Sequence, residues 1–475
     1  MIRSLRDLAP PSRKSLFRLF LAGLLFWASI STLLPTLPLY ISTLGGNLQE
    51  VGLVIGAFAI GLLCFRPWLG QSADRQGRKA VLLVGLWVTT TAPLGYLFMR
   101  SLPLLMAWRT YHGLSVAAFT IAYLAWVVDL TPPRIRGEIL GYMTLVNPIG
   151  LSVGPAIGGF ILESFGYPTL FCTSSVLGAI GFALATTASE ERPEESPQAL
   201  QQKTLNPPKR SLRNDWLQSF VLPLTAQVLA IGLAVGIIPL GVSYLGLSHY
   251  LIYFFSPFYL LAAILGLNLQ PGSRVWQPEV RVITVCLLLL GLAFGTVTTF
   301  IALFIKDQGL EFNPGWFYTA AALSSFAGRL IVGRHSDRYG RGVFISLSFL
   351  LYTLAMLQLA RSTTLVDFLL GGSLEGAGFG ILISIVAAFV ADRSLPDERG
   401  RFFSICLAGL DVGIAMAGPI LGYLADNIGY TSTFRIGASL SSVALLIFVL
   451  GANKTIGSSL RFSLGLTGDE YSRQN

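Results

Sequence analysis

The feature of this sequence that most limits its possible folds is a series of long stretches without a charged side chain. The 58 residues between Asp215 and Arg274 contain no Asp, Glu, Lys or Arg, and neither do the 31 between Arg18 and Glu50. A helix crosses the hydrocarbon core of a bilayer with about 20 apolar residues. Only 12% of the chain is charged, about half of what soluble domains carry. The sequence therefore predicts an all-α polytopic membrane protein and excludes a soluble enzyme or a single-anchor protein.

The charge-poor windows predict fourteen membrane spans. They are 17–40, 49–69, 80–99, 103–129, 138–161, 168–188, 217–240, 246–269, 281–305, 313–333, 343–360, 367–391, 402–424 and 433–452. Residues 189–215 contain four Glu, five basic residues and four Pro, too polar a composition to fold around a core. The predicted domains are an N-terminal six-span bundle (1–188), a cytoplasmic linker (189–215), an inserted transmembrane hairpin (216–273), a C-terminal six-span bundle (274–455) and a cytoplasmic tail (456–475).

The distribution of Lys and Arg predicts the orientation of the spans. With the N-terminus in the cytoplasm, 28 of the 33 basic residues fall on the cytoplasmic side, four fall on the outer side, and Arg109 lies within a span. This asymmetry follows the positive-inside rule. It predicts a multi-pass protein of the cell (inner or plasma) membrane with both termini in the cytoplasm. It also explains the net charge of +9 without a nucleic-acid partner.

Two halves of the chain repeat the same landmarks at a nearly constant separation. Residues Gly70 to Lys79 recur as Gly333 to Gly342, 263 residues later. The same separation relates Asp129 to Asp392, and Gly154-Pro155 recurs 264 residues later. Parallel repeats of this kind occur in transporters. The sequence therefore predicts two six-helix bundles related by a pseudo-two-fold repeat, with the linker and the hairpin between them.

The loop after span 2 carries the most specific motif. It reads G-x-x-x-D-R-x-G-R-K and is formed by Gly70, Asp74, Arg75, Gly77, Arg78 and Lys79. Its glycines permit a tight turn, and its carboxylate can bind an arginine or a helix N-terminus. In this motif, and over nearly its whole length, the chain resembles the major facilitator superfamily of transporters. The second copy keeps Asp337, Arg338 and Arg341.

The resemblance implies a cytoplasmic gate built from these loops. It implies that Arg78 pairs with Asp129 and that Asp74 contacts the start of span 11. Arg341 and Asp392 are the equivalents in the second copy, where Gly342 replaces Lys79. We expect the second gate to be weaker for that reason. Arg66 and Arg329 are assigned to the cytoplasmic span ends, with the loop motifs.

Span 5 contains a row of glycines and a proline that resembles the antiporter motif of exporters in this family: Gly150, Gly154, Pro155, Gly158 and Gly159. Glycines four residues apart let another helix approach closely, and the proline removes a backbone hydrogen bond. Span 1 ends in P-x-x-P, similar to twelve-span exporters, and lacks the Asp that fourteen-span drug exporters carry there. We therefore expect a twelve-span exporter core with an inserted hairpin.

Four ionisable residues inside spans are candidates for the proton and substrate pathway, because buried charges in a membrane are costly and usually functional. Arg109 and His112 share a face of span 4, in a segment close to the family's R-x-x-Q-G. Glu375 occupies the second-copy position of His112, and Asp411 lies near the predicted midplane of span 11. We expect the two acids to carry the coupling proton and to face Arg109 and His112 across a cavity.

These features predict a secondary active transporter, a proton-coupled exporter of drugs or metabolites that works by alternating access. The alternatives are a proton-coupled importer of a sugar or organic ion on the same fold and, less favoured, a membrane enzyme or receptor. No P-loop is present, and the four cysteines lie inside spans without metal-ligand spacing. We expect no cofactor and no metal. The expected partners are a small-molecule substrate, protons and the lipid bilayer, and we expect a monomer.

Overall fold

The computed structural model describes residues 10–132, 135–189, 278–394 and 399–472, and every regular element in these ranges is helical. The predicted hairpin and nearly all of the predicted linker lie outside the described residues. The helices are α1 (Pro10–Thr43), α2 (Leu48–Gln76), α3 (Arg78–Gly95), α4 (Leu102–Asp129), α5 (Arg136–Met143), α6 (Val146–Thr186), α7 (Pro278–Asp307), α8 (Gly315–Tyr339), α9 (Arg341–Leu359), α10 (Leu365–Asp392), α11 (Arg399–Gly451) and α12 (Ile456–Ser463).

Two of these helices, α6 and α11, each cover most of two predicted spans. The backbone of α6 leaves the helical conformation at Gly166, with φ 78°, and that of α11 at Gly429, with φ 77°. Glycine adopts such positive φ angles without a steric penalty. The described residues therefore provide helices for twelve of the fourteen predicted spans, six on each side of the undescribed segment 190–277. Eight helical segments in the described ranges are long and apolar enough to cross a membrane, and the two containing these breaks are 48 and 47 residues long.

The backbone shows the repeat that the sequence predicts. Positive-φ glycines recur in pairs at Gly77 and Gly340 and at Gly166 and Gly429. Both pairs are 263 residues apart. The same conformation at equivalent positions means that the two halves turn in the same way at the same ends of the same spans.

The first half forms one bundle, α1 to α6, and the second half forms another, α7 to α11. Within the first bundle α1 packs on α6, where Ser29 and Ser174 exchange hydrogen bonds, one of which joins the Ser29 hydroxyl to the Ser174 carbonyl at 2.7 Å. In the second bundle α7 packs on α11 and α8 on α10. One apolar cluster includes both the C-terminal bundle and residues of the N-terminal bundle near its predicted outer end, such as Leu33, Leu37 and Val54. The bundles are therefore packed together on that side.

The predicted cytoplasmic tail is folded back onto the second bundle. Its short helix α12 lies against α9, where the backbone of Phe462 leaves no room for a side chain at Gly342. The buried guanidinium of Arg393 holds the tail by two bonds to the Asp469 carboxylate, at 2.7 and 2.8 Å. It also donates to the carbonyl of Ala452 at 2.7 Å. Gly342 thus allows helix packing at a position where the first repeat has a lysine.

Candidate functional site

A cavity of about 320 Å³ lies between the two bundles, lined by residues of α1, α2, α4, α6, α7, α8, α10 and α11. Most of its wall is apolar and includes aromatic rings from both bundles, among them Trp27, Phe58, Phe317 and Phe379. Apolar pockets with a few polar groups are typical binding sites for small molecules. Among the described residues, the acidic and basic side chains in the wall are Arg109, Arg329, Glu375 and Asp411.

Glu375 lies in the cavity wall on α10 and is only 5% exposed. The adjacent Gly376 brings α10 against the backbone of Ala321 on α8, the helix that carries Tyr318. The carboxyl group lies close to Tyr318 and also to Tyr352 on α9. The hydroxyl groups of both tyrosines are buried without a hydrogen-bond partner of normal geometry among the described residues. Glu375 forms no ion pair within the described part of the chain. It is therefore a buried acid beside two hydroxyl groups.

Asp411 forms an ion pair with Arg66 that joins the two bundles. The Asp411 side chain is 14% exposed and that of Arg66 is 27% exposed, so the pair is largely shielded from solvent. The assignment of Arg66 to the cytoplasmic loop motif was wrong in this respect, because its side chain reaches into the bundle interface. Arg329, its counterpart in the repeat, lines the cavity, whereas Arg66 does not.

Arg109 lines the cavity, whereas His112 lies behind it. Arg109 stacks over the ring of Phe58, 4.3 Å from its centroid, and its Nη1 is 3.2 Å from Nδ1 of His112. His112 is fully buried, 3.1 Å from the hydroxyl of Tyr96, and does not line the cavity. The cause is the following residue, Gly113, which packs α4 onto the backbone of Phe58 on α2. Of the four predicted pathway residues, the structure brings three to the cavity.

The predicted gate residues form matching pairs at the predicted cytoplasmic ends of the two bundles. Arg78 Nε lies 3.4 Å from the Asp129 carboxylate, and Arg341 Nε lies 3.1 Å from that of Asp392. In the second bundle Arg341 also donates to the hydroxyl of Ser336 at 2.7 Å. The second gate, which we expected to be weaker, therefore has the shorter distance between arginine Nε and carboxylate.

The rest of the gate motif is described only in part. The Lys79 ammonium group donates to the carbonyls of Thr186 and Ala188 at the end of α6, at 2.7 Å each. Gly77 makes the positive-φ turn between α2 and α3, and no atom lies within 4 Å of a side chain placed at Gly70. Arg338 is exposed. The side chains of Asp74, Arg75 and Asp337 lie outside the described residues.

The glycines of span 5 allow contacts on two sides of α6. Side chains at Gly150, Gly154 and Gly158 would collide with α1, at Trp27, Ser31 and Thr32 respectively, and a side chain at Gly159 would collide with Asn313 before α8. The carbonyl of Pro155 similarly contacts Gly315 on α8. The motif therefore packs α6 onto its own bundle and onto the opposite bundle.

The predicted outer end of the cavity is closed by contacts between the bundles. The backbones of Gly52 on α2 and Gly418 on α11 touch so closely that neither position can hold a side chain. The Asp426 carboxylate of the second bundle accepts hydrogen bonds, both 2.9 Å long, from the backbone N–H groups of Leu48 and Gln49, the first residues of α2. A carboxylate is stabilising at a helix N-terminus. Asp426 thus caps a helix of the opposite bundle.

The sequence reasoning missed three functional features of this site. It did not identify Asp426, because nothing near that residue resembles a motif. It did not place Arg329 in the cavity or predict that Arg66 reaches Asp411. A signal existed for the two arginines: they are equivalent in the repeat, and each lies inside a span-forming helix.

The chain is similar to curated bacterial resistance proteins. It is 26% identical over 223 residues to the quinolone resistance protein NorA of Staphylococcus aureus (strain MRSA252), covering 46% of this chain and 56% of that protein. It is 30% identical over 190 residues to multidrug resistance protein 1 of Bacillus subtilis (strain 168), covering 40% and 48%. The chain spans about half the length of the curated relatives it matches.

Solved transporter structures share the fold at low sequence identity. The nucleoside transporter NupG superposes with a TM-score of 0.63 at 14% identity, covering 91% of this chain and 97% of that one. A POT family transporter in complex with a thioalcohol-conjugated peptide superposes with a TM-score of 0.64 at 13% identity, covering 94% and 98%. The sequence profile of one transporter family matches residues 19–306 and 283–461. The chain belongs to that family, the Major Facilitator Superfamily.

Proposed function

We propose that this protein is a secondary active exporter that moves small molecules, drugs or metabolites, out of the cell in exchange for protons. The observation that carries the proposal is the pair of carboxyl groups, Glu375 and Asp411, in the wall of an apolar cavity between the bundles. The relatives named for quinolone and multidrug resistance and the span-5 glycine motif support export over import.

Alternating access requires that one face of the cavity opens while the other closes. The contacts between Gly52 and Gly418 and the cap formed by Asp426 support a closed outer face. We propose that the loop motifs close the cytoplasmic face in the opposite state, with Arg78–Asp129 and Arg341–Asp392 holding each loop in shape. In that state Asp74 contacts the start of span 11, as the resemblance implies.

Proton coupling follows from the surroundings of the two acids. A proton on Asp411 removes the charge that binds Arg66, so protonation loosens α2 from α11. Glu375 is neutral when protonated, and a neutral acid is far less costly in an apolar site than a carboxylate. A cationic group of a substrate stabilises the carboxylate form instead. Proton and substrate therefore compete, which is the minimum requirement for antiport.

The proposal also covers the location, oligomeric state and orientation of the protein. We propose that it is a monomer in the plasma membrane with both termini in the cytoplasm. The hairpin 216–273, which lies outside the described residues, is placed outside the transport pathway. Cysteines introduced along it are then expected to react equally fast with and without substrate.

Transport in proteoliposomes tests the role of the two acids. The variants are Glu375→Gln and Asp411→Asn, each with and without an imposed pH gradient, and a quinolone is the probe. Asp367→Asn is the matched control, because this acid lies on α10 but is exposed in a capping box at the helix start. We expect gradient-driven transport to fall at least tenfold in one or both cavity variants and to persist in the control.

Two outcomes of this experiment are decisive against the proposal. If both cavity variants keep gradient-driven transport, the proton is carried elsewhere. If the wild-type protein accumulates the probe equally well without a gradient, transport is not coupled to protons.

A further inference from the structure

A second cavity, of about 520 Å³, lies at the predicted cytoplasmic face, between the start of α1 and the short helix α5. It is separate from the central cavity, and no described residue lines both. Among the described residues, its wall contains Arg13, Lys14, Leu16, Phe17, Arg18, Phe20, Ile139, Tyr142, Met143 and Leu145. Three of these side chains are basic and none is acidic.

The wall changes from basic to apolar along α1. Arg13 and Lys14 lie in the first turns of the helix and are exposed. Phe20 lies seven residues further on, about 10 Å deeper at 1.5 Å per residue. Opposite it, α5 and the following turn contribute Ile139, Met143 and Leu145. The cavity therefore presents positive charge at one end and apolar surface at the other.

One apolar side chain of this wall is unusually exposed for its size. Phe17 is 64% exposed, although it lies one helical turn after Arg13. At the boundary of a bilayer such a ring contacts lipid chains, and the long side chains of Arg13 and Lys14 extend toward the headgroups. Basic pockets between helices on the cytoplasmic side are suited to anionic lipid headgroups.

We propose that this cavity binds an anionic phospholipid of the cytoplasmic leaflet. The phosphate lies between Arg13 and Lys14, and an acyl chain lies along Phe17 and Phe20. Arg18 contributes less to binding, because its guanidinium donates to the carbonyl of Thr187 at the end of α6. The lipid thereby bridges α1 and α5 at the edge of the N-terminal bundle.

The acidic part of the linker is the alternative occupant that the chain itself offers. Residues 190–195 contain four glutamates, and they follow Ser189, whose backbone N–H donates to the Ser15 hydroxyl at 3.0 Å. Their sequence, Glu-Glu-Arg-Pro-Glu-Glu, contains no large apolar side chain that would cover Phe17 and Phe20. A lipid satisfies both the basic and the apolar wall, and for that reason we favour it.

Native mass spectrometry and thermal unfolding of the full-length purified protein test this proposal. The probes are phosphatidylglycerol, phosphatidylcholine and inorganic phosphate, each added alone. The test variant is Arg13→Gln/Lys14→Gln, and Phe17→Ala tests the acyl-chain wall. The matched control is Lys454→Gln/Arg461→Gln, which removes one exposed basic group just before the C-terminal tail and one within it.

We expect phosphatidylglycerol to bind the wild-type protein at least tenfold more tightly than phosphatidylcholine and to raise its unfolding midpoint. Each basic residue near an anionic headgroup strengthens binding by roughly fivefold. The double variant is therefore expected to bind at least tenfold more weakly than the wild type, whereas the tail control binds normally. Phe17→Ala is expected to weaken binding of phosphatidylglycerol without affecting inorganic phosphate.

Three results overturn the proposal. Equal affinity for the two lipids excludes an anionic headgroup site, and equal stabilisation by inorganic phosphate reduces the site to one for free phosphate. If phosphatidylglycerol binds only after the four glutamates of 190–195 are changed to Gln, the linker is the occupant. Folding of the double variant is checked without lipid, where its unfolding midpoint should equal that of the wild type.

Discussion

Replacing Asp426 by Asn should shift the carrier toward a state that is open at the outer face. The Asp426 carboxylate belongs to the second bundle and accepts two hydrogen bonds from the N-terminus of α2 in the first. These bonds require the predicted outer ends of the two bundles to be in contact. Asn keeps one acceptor oxygen but loses the second and the charge, whereas the capping box of α2 formed by Asn47 and Glu50 is unaffected.

The size of the shift follows from the geometry. A hydrogen bond to a charged group contributes about 1.5–3 kcal/mol when well shielded, but Asp426 is exposed. A negative charge at an exposed helix N-terminus contributes about 0.3–1 kcal/mol. We therefore expect the closed state to lose about 1 kcal/mol relative to the open state. Since every 1.4 kcal/mol is tenfold, the ratio of open to closed molecules rises about fivefold.

Cysteine accessibility measures this ratio directly. The four native cysteines are replaced, and a single cysteine is placed at Leu34, which lines the cavity. A membrane-impermeant maleimide added at the outer face is expected to react about five times faster in Asp426→Asn than in the parent. Glu311→Gln, which removes an exposed acid from the same predicted face, is the control. Equal rates in the parent and the Asp426 variant would refute the cap as a contribution to closure.

Two further substitutions test the packing. Gly52→Ala places a Cβ against the backbone of Gly418. We therefore expect this variant to insert normally into the membrane, to have a cavity accessible from outside and to lose transport. The control Gly141→Ala, where a Cβ meets nothing within 4 Å, should transport normally. Wild-type transport by Gly52→Ala would contradict the closed packing. Arg393→Gln removes the buried cation that pairs with the Asp469 carboxylate. Breaking such a pair typically lowers the free energy of unfolding by about 3–5 kcal/mol, so the thermal unfolding midpoint should fall. A midpoint equal to that of the wild type would show that the tail does not stabilise the bundle.

Hydropathy and the repeat were enough to predict the long helices of the described regions, but not the short helix α12 in the predicted tail. Eleven of the twelve predicted spans in those regions correspond to a helix or to one side of a glycine break, and span 138–161 begins in α5 and continues into α6. The spans were predictable because the cost of placing charge in hydrocarbon is a local property of the sequence. The turns at Gly77 and Gly340 were predictable for a similar reason, since a positive φ angle favours glycine whatever surrounds it. The two further predicted spans lie outside the described residues.

The composition of the site was only partly predictable. Arg109, Glu375 and Asp411 were identified because an ionisable residue inside a span is costly and therefore informative. The sequence by itself thus determined the long helices of the described regions, the repeat and three of the ionisable residues in the cavity wall. Only the tertiary structure decided their partners: His112 lies behind the cavity, Arg66 reaches Asp411, and Asp426 caps α2. The contacts of Arg66 and Asp426 join residues more than 300 positions apart in the sequence. The position of His112 depends on the rotation of α4 about its axis. Such rotations are set by close packing between helices and not by the hydropathy of any single span.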